Sequence, residues 1–255
     1  MLNAVFSGKA GHLNVENENS LSWKSVVKVN EDILTASVFE RLSYLPSAVF
    51  WSILRKSVVS SFPSYQVAEL TDIQFWPSWD DAPDSNNTVE PDVFLRFHVG
   101  DPKMRVDIIV EAKRHDAGTD QYSTQWYRQC RAYLSEYKED KADHVFFLAI
   151  GGLGENEQKR LEELAKETRS KLDQKEMPTI EYHGGNWARI AKSCNEASKT
   201  EPQVKYVISD IVKLLAFSGY RNYIFFDTLQ SSGEMPCLDG DHCFEQYDFG
   251  DNDEF

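Results

Sequence analysis

The twelve residues Met104–His115, M-R-V-D-I-I-V-E-A-K-R-H, decide how the rest of the chain reads. They open as an apolar run with the β-branched bias of a buried strand, carried by Val106, Ile108, Ile109 and Val110. Glu111 and Lys113 then follow directly, where a buried strand ought to avoid charge. Side chains alternate faces along a strand, so residues two apart share a side at a spacing of about 6–7 Å. Glu111 and Lys113 therefore leave the strand's end together, while Ala112 faces the other way. A carboxylate and an ammonium in that position form either a structural ion pair or a catalytic one.

The two strand-like stretches nearest this run frame it. Pro91–Val99, P-D-V-F-L-R-F-H-V, alternates Val93, Leu95 and Phe97 against Phe94 and Arg96, and Gly100-Asp101-Pro102 supplies a turn into Met104. The pair is expected to be antiparallel, which lays the start of the first strand beside the end of the second. Asp92 begins one and Glu111 ends the other, so the two acids are expected to be neighbours despite their separation in sequence. Upstream, Tyr65–Trp76 reads as a further strand, and Trp76–Asn87, W-P-S-W-D-D-A-P-D-S-N-N, as a long exposed hairpin loop.

Helices are expected on both sides of these strands. Leu21–Val29 reads as a strand or a packed arm. A helix with Thr35 as N-cap carries Val38, Leu42 and Leu45 on one stripe, and Pro46 ends it and starts a second, Ser47–Ser60. Glu40 lies off that stripe, which leaves it either a solvated surface residue or a carboxylate that leans over a site. After Lys113 a helix over Gln121–Tyr137, capped by Thr119 or Asp120, buries Trp126, Cys130 and Tyr133 or Leu134. Gln121, Gln125, Gln129 and Tyr133 form a second row on it at four-residue steps. Asp143–Ile150 is a buried strand closed by Gly151-Gly152-Leu153-Gly154, which lacks the Gly-Lys-Ser/Thr of a phosphate loop, as does Ser7-Gly8-Lys9. A charged helix over Glu155–Lys175, a strand over Thr179–His183, a short helix over Asn186–Ser193 and an amphipathic helix over Val204–Phe217 complete the order. The fold class this defines is α/β, with an antiparallel and a parallel crossover part in one sheet.

Composition narrows the function. The 255 residues are 41% hydrophobic and 13% aromatic, enough to bury a core. No apolar run is long enough for a transmembrane helix, so no membrane partner is expected. The start of the chain lacks a signal peptide's apolar stretch, and four scattered cysteines suit a reducing, cytoplasmic setting. The net charge of −14 argues against a protein that grips nucleic acid by charge alone. Eight of those negative charges sit in residues 231–255, which hold no lysine or arginine; without them residues 1–230 carry −6. A domain over 1–230 followed by a disordered acidic tail is the expected organisation. Cys237, His242 and Cys243 in the tail match no usual zinc spacing and lack a fourth ligand.

Two carboxylates beside the Ala112 carbonyl offer hard oxygen ligands suited to Mg²⁺ or Mn²⁺. Pro91-Asp92 followed by Glu111-Ala112-Lys113 resembles the PD-(D/E)xK signature of restriction-endonuclease-like nucleases, and the order of helix, three strands, helix and strand resembles their core. Over about residues 35–150 the resemblance implies a mixed central sheet flanked by helices. It also implies a Mg²⁺-dependent nuclease hydrolysing DNA phosphodiester bonds, in phage defence, repair or a mobile element by fold-level analogy. Asp92, Glu111 and the Ala112 carbonyl would hold the ion, and Lys113 would orient water or offset charge on the phosphorus. Glu40 matches by position a helix glutamate found in many members. Gln129-Cys-Arg-Ala-Tyr133 resembles the Gln-x-x-x-Tyr motif of the RecB-like branch, with Gln125 as a second candidate. Arg96, Lys103, Arg105, Arg114, Arg128 and Arg131 would supply local charge for DNA, or a protein partner would supply the affinity. The contrasting expectation is a catalytically inactive module of the same fold that binds a protein partner, with Glu111 and Lys113 as a structural pair.

Overall fold

The computed structural model describes residues 2–13, 20–60, 62–65, 67–81, 87–114, 120–172 and 180–220. The chain divides into Met1–Asn222 and Tyr223–Phe255, and every described residue belongs to the first. The acidic tail, with Cys237, His242 and Cys243, lies outside the described residues, as does the proposed cap Thr119.

The N-terminal part contains α1 (Leu2–Phe6), β1 (His12–Leu13), β2 (Leu21–Ser22), α2 (Trp23–Val29), α3 (Glu31–Ser43) and α4 (Ser47–Ser57). There follow β3 (Ala68–Phe75), β4 (Trp79–Asp80), β5 (Thr88–Val89), β6 (Val93–Val99), β7 (Met104–Ala112), α5 (Ser123–Glu136) and β8 (His144–Ile150). The chain then runs through α6 (Glu157–Lys171), β9 (Ile180–Gly185), α7 (Trp187–Thr200) and α8 (Lys205–Phe217). The central sheet has the order β3-β6-β7-β8-β9. Its first three strands pair antiparallel and its last three parallel. No helix among the described residues is long and apolar enough to cross a membrane.

Strand β7 is central and buried on both faces, which is why its sequence is an apolar run rather than an alternation. One face, with Val106, Ile108, Val110 and Ala112, packs with residues of α3, α4, α7 and α8. On that side Trp51 and Phe50 meet Phe97 edge-on at 5.2 and 5.5 Å between ring centroids. Burying each such side chain contributes roughly 1.5–3 kcal/mol. On the other face Ile109, with Phe147 and Ala149 of the neighbouring β8, packs on α5 and α6.

Several boundaries differ from the sequence reading. Residues 23–29 are helical, since the Ser22 hydroxyl caps Ser25 N–H and overrides the β-branched valines. Asn30 rather than Thr35 caps α3, its Oδ1 accepting from Ile33 N–H at 2.7 Å, and Thr35 is buried inside the helix. Helix α5 starts only at Ser123, with no side-chain cap. Nor is the Trp76–Asn87 stretch simply an exposed loop. Trp79–Asp80 within it forms β4, which pairs with β5 just beyond it, and Trp79 is buried against Phe94, Tyr133 and Tyr137.

A second buried acid locks three elements. Asp107, fully buried in the middle of β7, accepts from Arg96 Nε at 2.9 Å and Nη2 at 3.0 Å, and from the Tyr133 hydroxyl at 2.9 Å. The tyrosine of the Gln-x-x-x-Tyr pattern thus fastens α5 to the strand. Removing the acid leaves a partly buried guanidinium and a phenol without their acceptor. Asp107→Ala should cost about 3–5 kcal/mol of unfolding free energy, and Tyr133→Phe about 1 kcal/mol, both read by urea denaturation. A near-neutral Asp107→Ala would show that the network does not hold the sheet to α5.

Candidate active site

The β6/β7 register pairs Val93 with Val110, so Asp92 and Glu111 stand side by side at the strand ends. Asp92 reaches onto the neighbouring strand, where its Oδ2 accepts the Ala112 N–H at 2.7 Å. Glu111 is 1% exposed, and each of its oxygens is used. Oε1 accepts from the Lys113 ammonium and from Gln125 Nε2 at 2.7 Å, while Oε2 accepts from Gln129 Nε2 at 2.6 Å. Residues four apart on a helix share a face, so α5 delivers both amides to one carboxylate. Gln121, just before the helix, donates to the Glu111 carbonyl at 3.1 Å and the Gly151 carbonyl at 3.2 Å, and Trp126 Nε1 holds its oxygen at 2.8 Å.

The turn after β8 closes on the same point. Gly151 has φ +72°, and a Cβ there would lie 2.2 Å from the Lys113 carbonyl oxygen, so glycine is needed for the approach. That carbonyl also accepts from Trp187 Nε1 at 3.0 Å. Asp92, Glu111, Ala112, Lys113, Gln125 and Gln129 are therefore brought together.

Glu40 is not among them. It is exposed on α3, where it accepts from the Tyr44 hydroxyl at 2.9 Å and lies 3.5 Å from Arg41. The helix acid at the site is Glu31, at the start of the same helix. Its Oε1 lies 3.4 Å from Lys113 Nζ and its Oε2 accepts the Arg114 N–H at 2.7 Å. The signal for it is Asn30-Glu31-Asp32, a capping asparagine followed by acids in a first turn, which reading the helix from Thr35 conceals.

Electrostatics at the site are set by burial. Asp92 is pushed up to about 7 by desolvation and by the Glu111 charge beside it, against the pull of the Ala112 N–H and Lys113. Burial also raises Glu111, opposed by Lys113 and Gln129. Burial works against the Lys113 ammonium, yet the Glu111, Glu31 and Asp92 charges outweigh it and hold the proton more firmly than usual.

The surrounding cations are already committed. Arg96 is bound to Asp107, Arg105 to Asp140, Lys103 to Glu69, and both Arg128 and Arg131 to Asp81. Arg114 is buried, donating to the Lys28 carbonyl at 2.7 Å and the Ser218 carbonyl at 3.3 Å. Five of the six cations expected to meet DNA are thus paired with acids, and the sixth is spent on backbone carbonyls.

Among the described residues, no group of three or more His, Cys, Asp or Glu side chains forms a ready-made ion site. Two features nevertheless fit a hydrated Mg²⁺ or Mn²⁺, which binds through one or two carboxylates and keeps waters. Asp92 and Glu111 repel each other where they are buried, and Gln129 Oε1 is buried without a hydrogen-bond partner, an acceptor open to an ion's water.

A mixed α/β sheet with paired acids at its strand ends is the class that fold and site define. Over 193 residues the chain is 30% identical to the uncharacterized protein PM0110 of Pasteurella multocida (strain Pm70), a match spanning 75% of this chain and 70% of that protein. The chain belongs to the same family as PM0110. No family model matches the sequence, and no solved structure matches it.

The raised Asp92 gives the metal-free protein a signature in pH. A carboxyl with a folded pKa above its unfolded value stabilises the fold below the unfolded pKa, and that contribution is lost as pH rises through the folded value. Between about pH 4 and 7 the wild type should therefore lose stability, by at most about 4 kcal/mol from Asp92. In EDTA, Asp92→Asn should have a melting temperature that falls less than the wild type's from pH 5 to 8. Parallel melting curves for the two proteins across that range would contradict the burial of a repelled pair.

Proposed function

We propose that this chain is a Mg²⁺- or Mn²⁺-dependent nuclease of the PD-(D/E)xK, restriction-endonuclease-like type, acting on DNA in the cytoplasm. The observation that carries the reading is the meeting of Asp92 and Glu111 on adjacent strand ends, with Lys113 on the Glu111 carboxylate. Asp92, Glu111 and the Ala112 carbonyl would hold the ion. When bound, it supplies a Lewis acid and lowers the pKa of coordinated water. Lys113 presents an ammonium that Glu111 and Glu31 keep protonated, placed to orient water or to offset charge on the phosphate. Gln125 and Gln129 fix the Glu111 rotamer, and Glu31 takes the place that the resemblance gave to Glu40.

One observation favours a second reading, a catalytically inactive module of this fold that binds a protein partner. Both Glu111 oxygens are satisfied without an ion, by Lys113 and two glutamines, as a structural ion pair would be.

Cleavage assays on plasmid and oligonucleotide DNA, with and without Mg²⁺, separate the two. Asp92→Asn and Glu111→Gln should each lower Mg²⁺-dependent cleavage by about three orders of magnitude or more. Lys113→Ala should lose cleavage yet retain Mn²⁺ binding by isothermal titration. Gln129→Ala should lose on the order of tenfold, because it acts through Glu111. Wild-type cleavage in either acid variant would end the nuclease reading, and absence of cleavage by the wild type on every substrate would favour the module.

A further inference from the structure

Two exposed aromatic residues neighbour groups that build the acid site. Trp76 follows β3 directly, and its N–H donates to the Asp92 carbonyl at 3.2 Å. Because Phe75 pairs with Val93, one row across the sheet reads Trp76, Asp92, Glu111. The indole is 39% exposed. Its backbone has φ 47°, and among the described residues Trp76 alone adopts positive φ without being glycine. A left-handed backbone is unfavourable for a bulky aromatic and persists where the surroundings enforce it, often at functional sites. Here the left-handed turn leaves the ring open to solvent, 6.0 Å between centroids from Phe75, on a residue whose backbone is bonded to that of Asp92. Tyr122, 52% exposed, lies in the chain between Gln121 and Gln125, both of which hold Glu111.

Charge points in the same direction. Gripping an intact duplex by its phosphates requires unspent cations, and Arg96, Lys103, Arg105, Arg128 and Arg131 are each paired with an acid. Stacking of bases on aromatic rings needs no positive charge and is open to any base whose face is free. Bases inside a duplex offer no free face. Resting on the nuclease reading, we propose that the site takes nucleic acid through unpaired bases stacked on Trp76 and Tyr122, so that its substrate is a single strand or an unpaired end rather than an intact duplex.

Fluorescence anisotropy on the full chain in EDTA tests this apart from catalysis, using one labelled oligonucleotide as a single strand and as a blunt duplex at equal ionic strength. The single strand should bind about tenfold or more tightly than the duplex, and Trp76→Gly or Tyr122→Ala should each weaken it about tenfold while changing duplex binding little. Trp76→Phe should stay close to wild type. Glycine accepts φ 47° without strain, so Trp76→Gly should melt no lower than the wild type, and a loss of binding is then not a loss of fold. Preference for the duplex, an equal loss on both ligands, or no binding at all would overturn the proposal. Trp76-dependent binding of the single strand, in a protein that cuts nothing with Mg²⁺, would retain the stacking surface and reject the nuclease. Cleavage of blunt duplex indifferent to Trp76 would do the reverse.

Discussion

A carboxylate excluded from water has to be met by donors, and Glu111 is met from two directions. Lys113 comes from its own strand, Gln125 and Gln129 from α5, and Glu31 from α3 steadies the lysine. Each of these contacts fixes the element that carries it. Helix α5 must lie with its glutamine row toward β7, and α3 must begin where its first residue reaches the strand end. Leaving a buried charge uncompensated would cost several kcal/mol, comparable with the whole stability of a domain. The arrangement of helices around the sheet is in this sense a solution to one solvation problem.

The same logic explains what could be read in the sequence. Strands betray themselves through periodicity and hydrophobicity, so β6, β7 and β8 and the turn joining the first two were legible, and with them the adjacency of Asp92 and Glu111. The glutamine row was legible because its four-residue spacing is local. Glu31 was hidden because a helix read from Thr35 leaves it outside, and only tertiary packing tells which end of that helix meets the sheet. The helix over Trp23–Val29 was hidden by valines whose β propensity a serine cap overrides. The spending of arginines on acids could not be seen either, since Arg128 and Arg131 meet Asp81 across 47 and 50 positions of sequence. Net charge counts residues; it does not say which have already been neutralised.

That neutralisation bears on how the surface would meet a polyanion. Arg96 and Arg105 hold the β6/β7 ribbon through Asp107 and Asp140. Arg128 and Arg131 hold Asp81, next to β4, against α5. Both groups serve the fold before they serve any ligand. Recruiting them to phosphate would trade internal ion pairs for external ones, a poor exchange at the partly buried pairs.

Arg114 ties the residue after Lys113 to the carbonyls of Lys28 and Ser218, and the second of these lies 104 residues further along the chain. On a ribosome, the strand that carries Glu111 would emerge long before that clasp could close. The acids would remain without their final fastening until α8 had been made. A chain interrupted before Ser218 would contain each acid, amide and ammonium of the site, yet lack the Arg114 bond that ties the site to the end of α8.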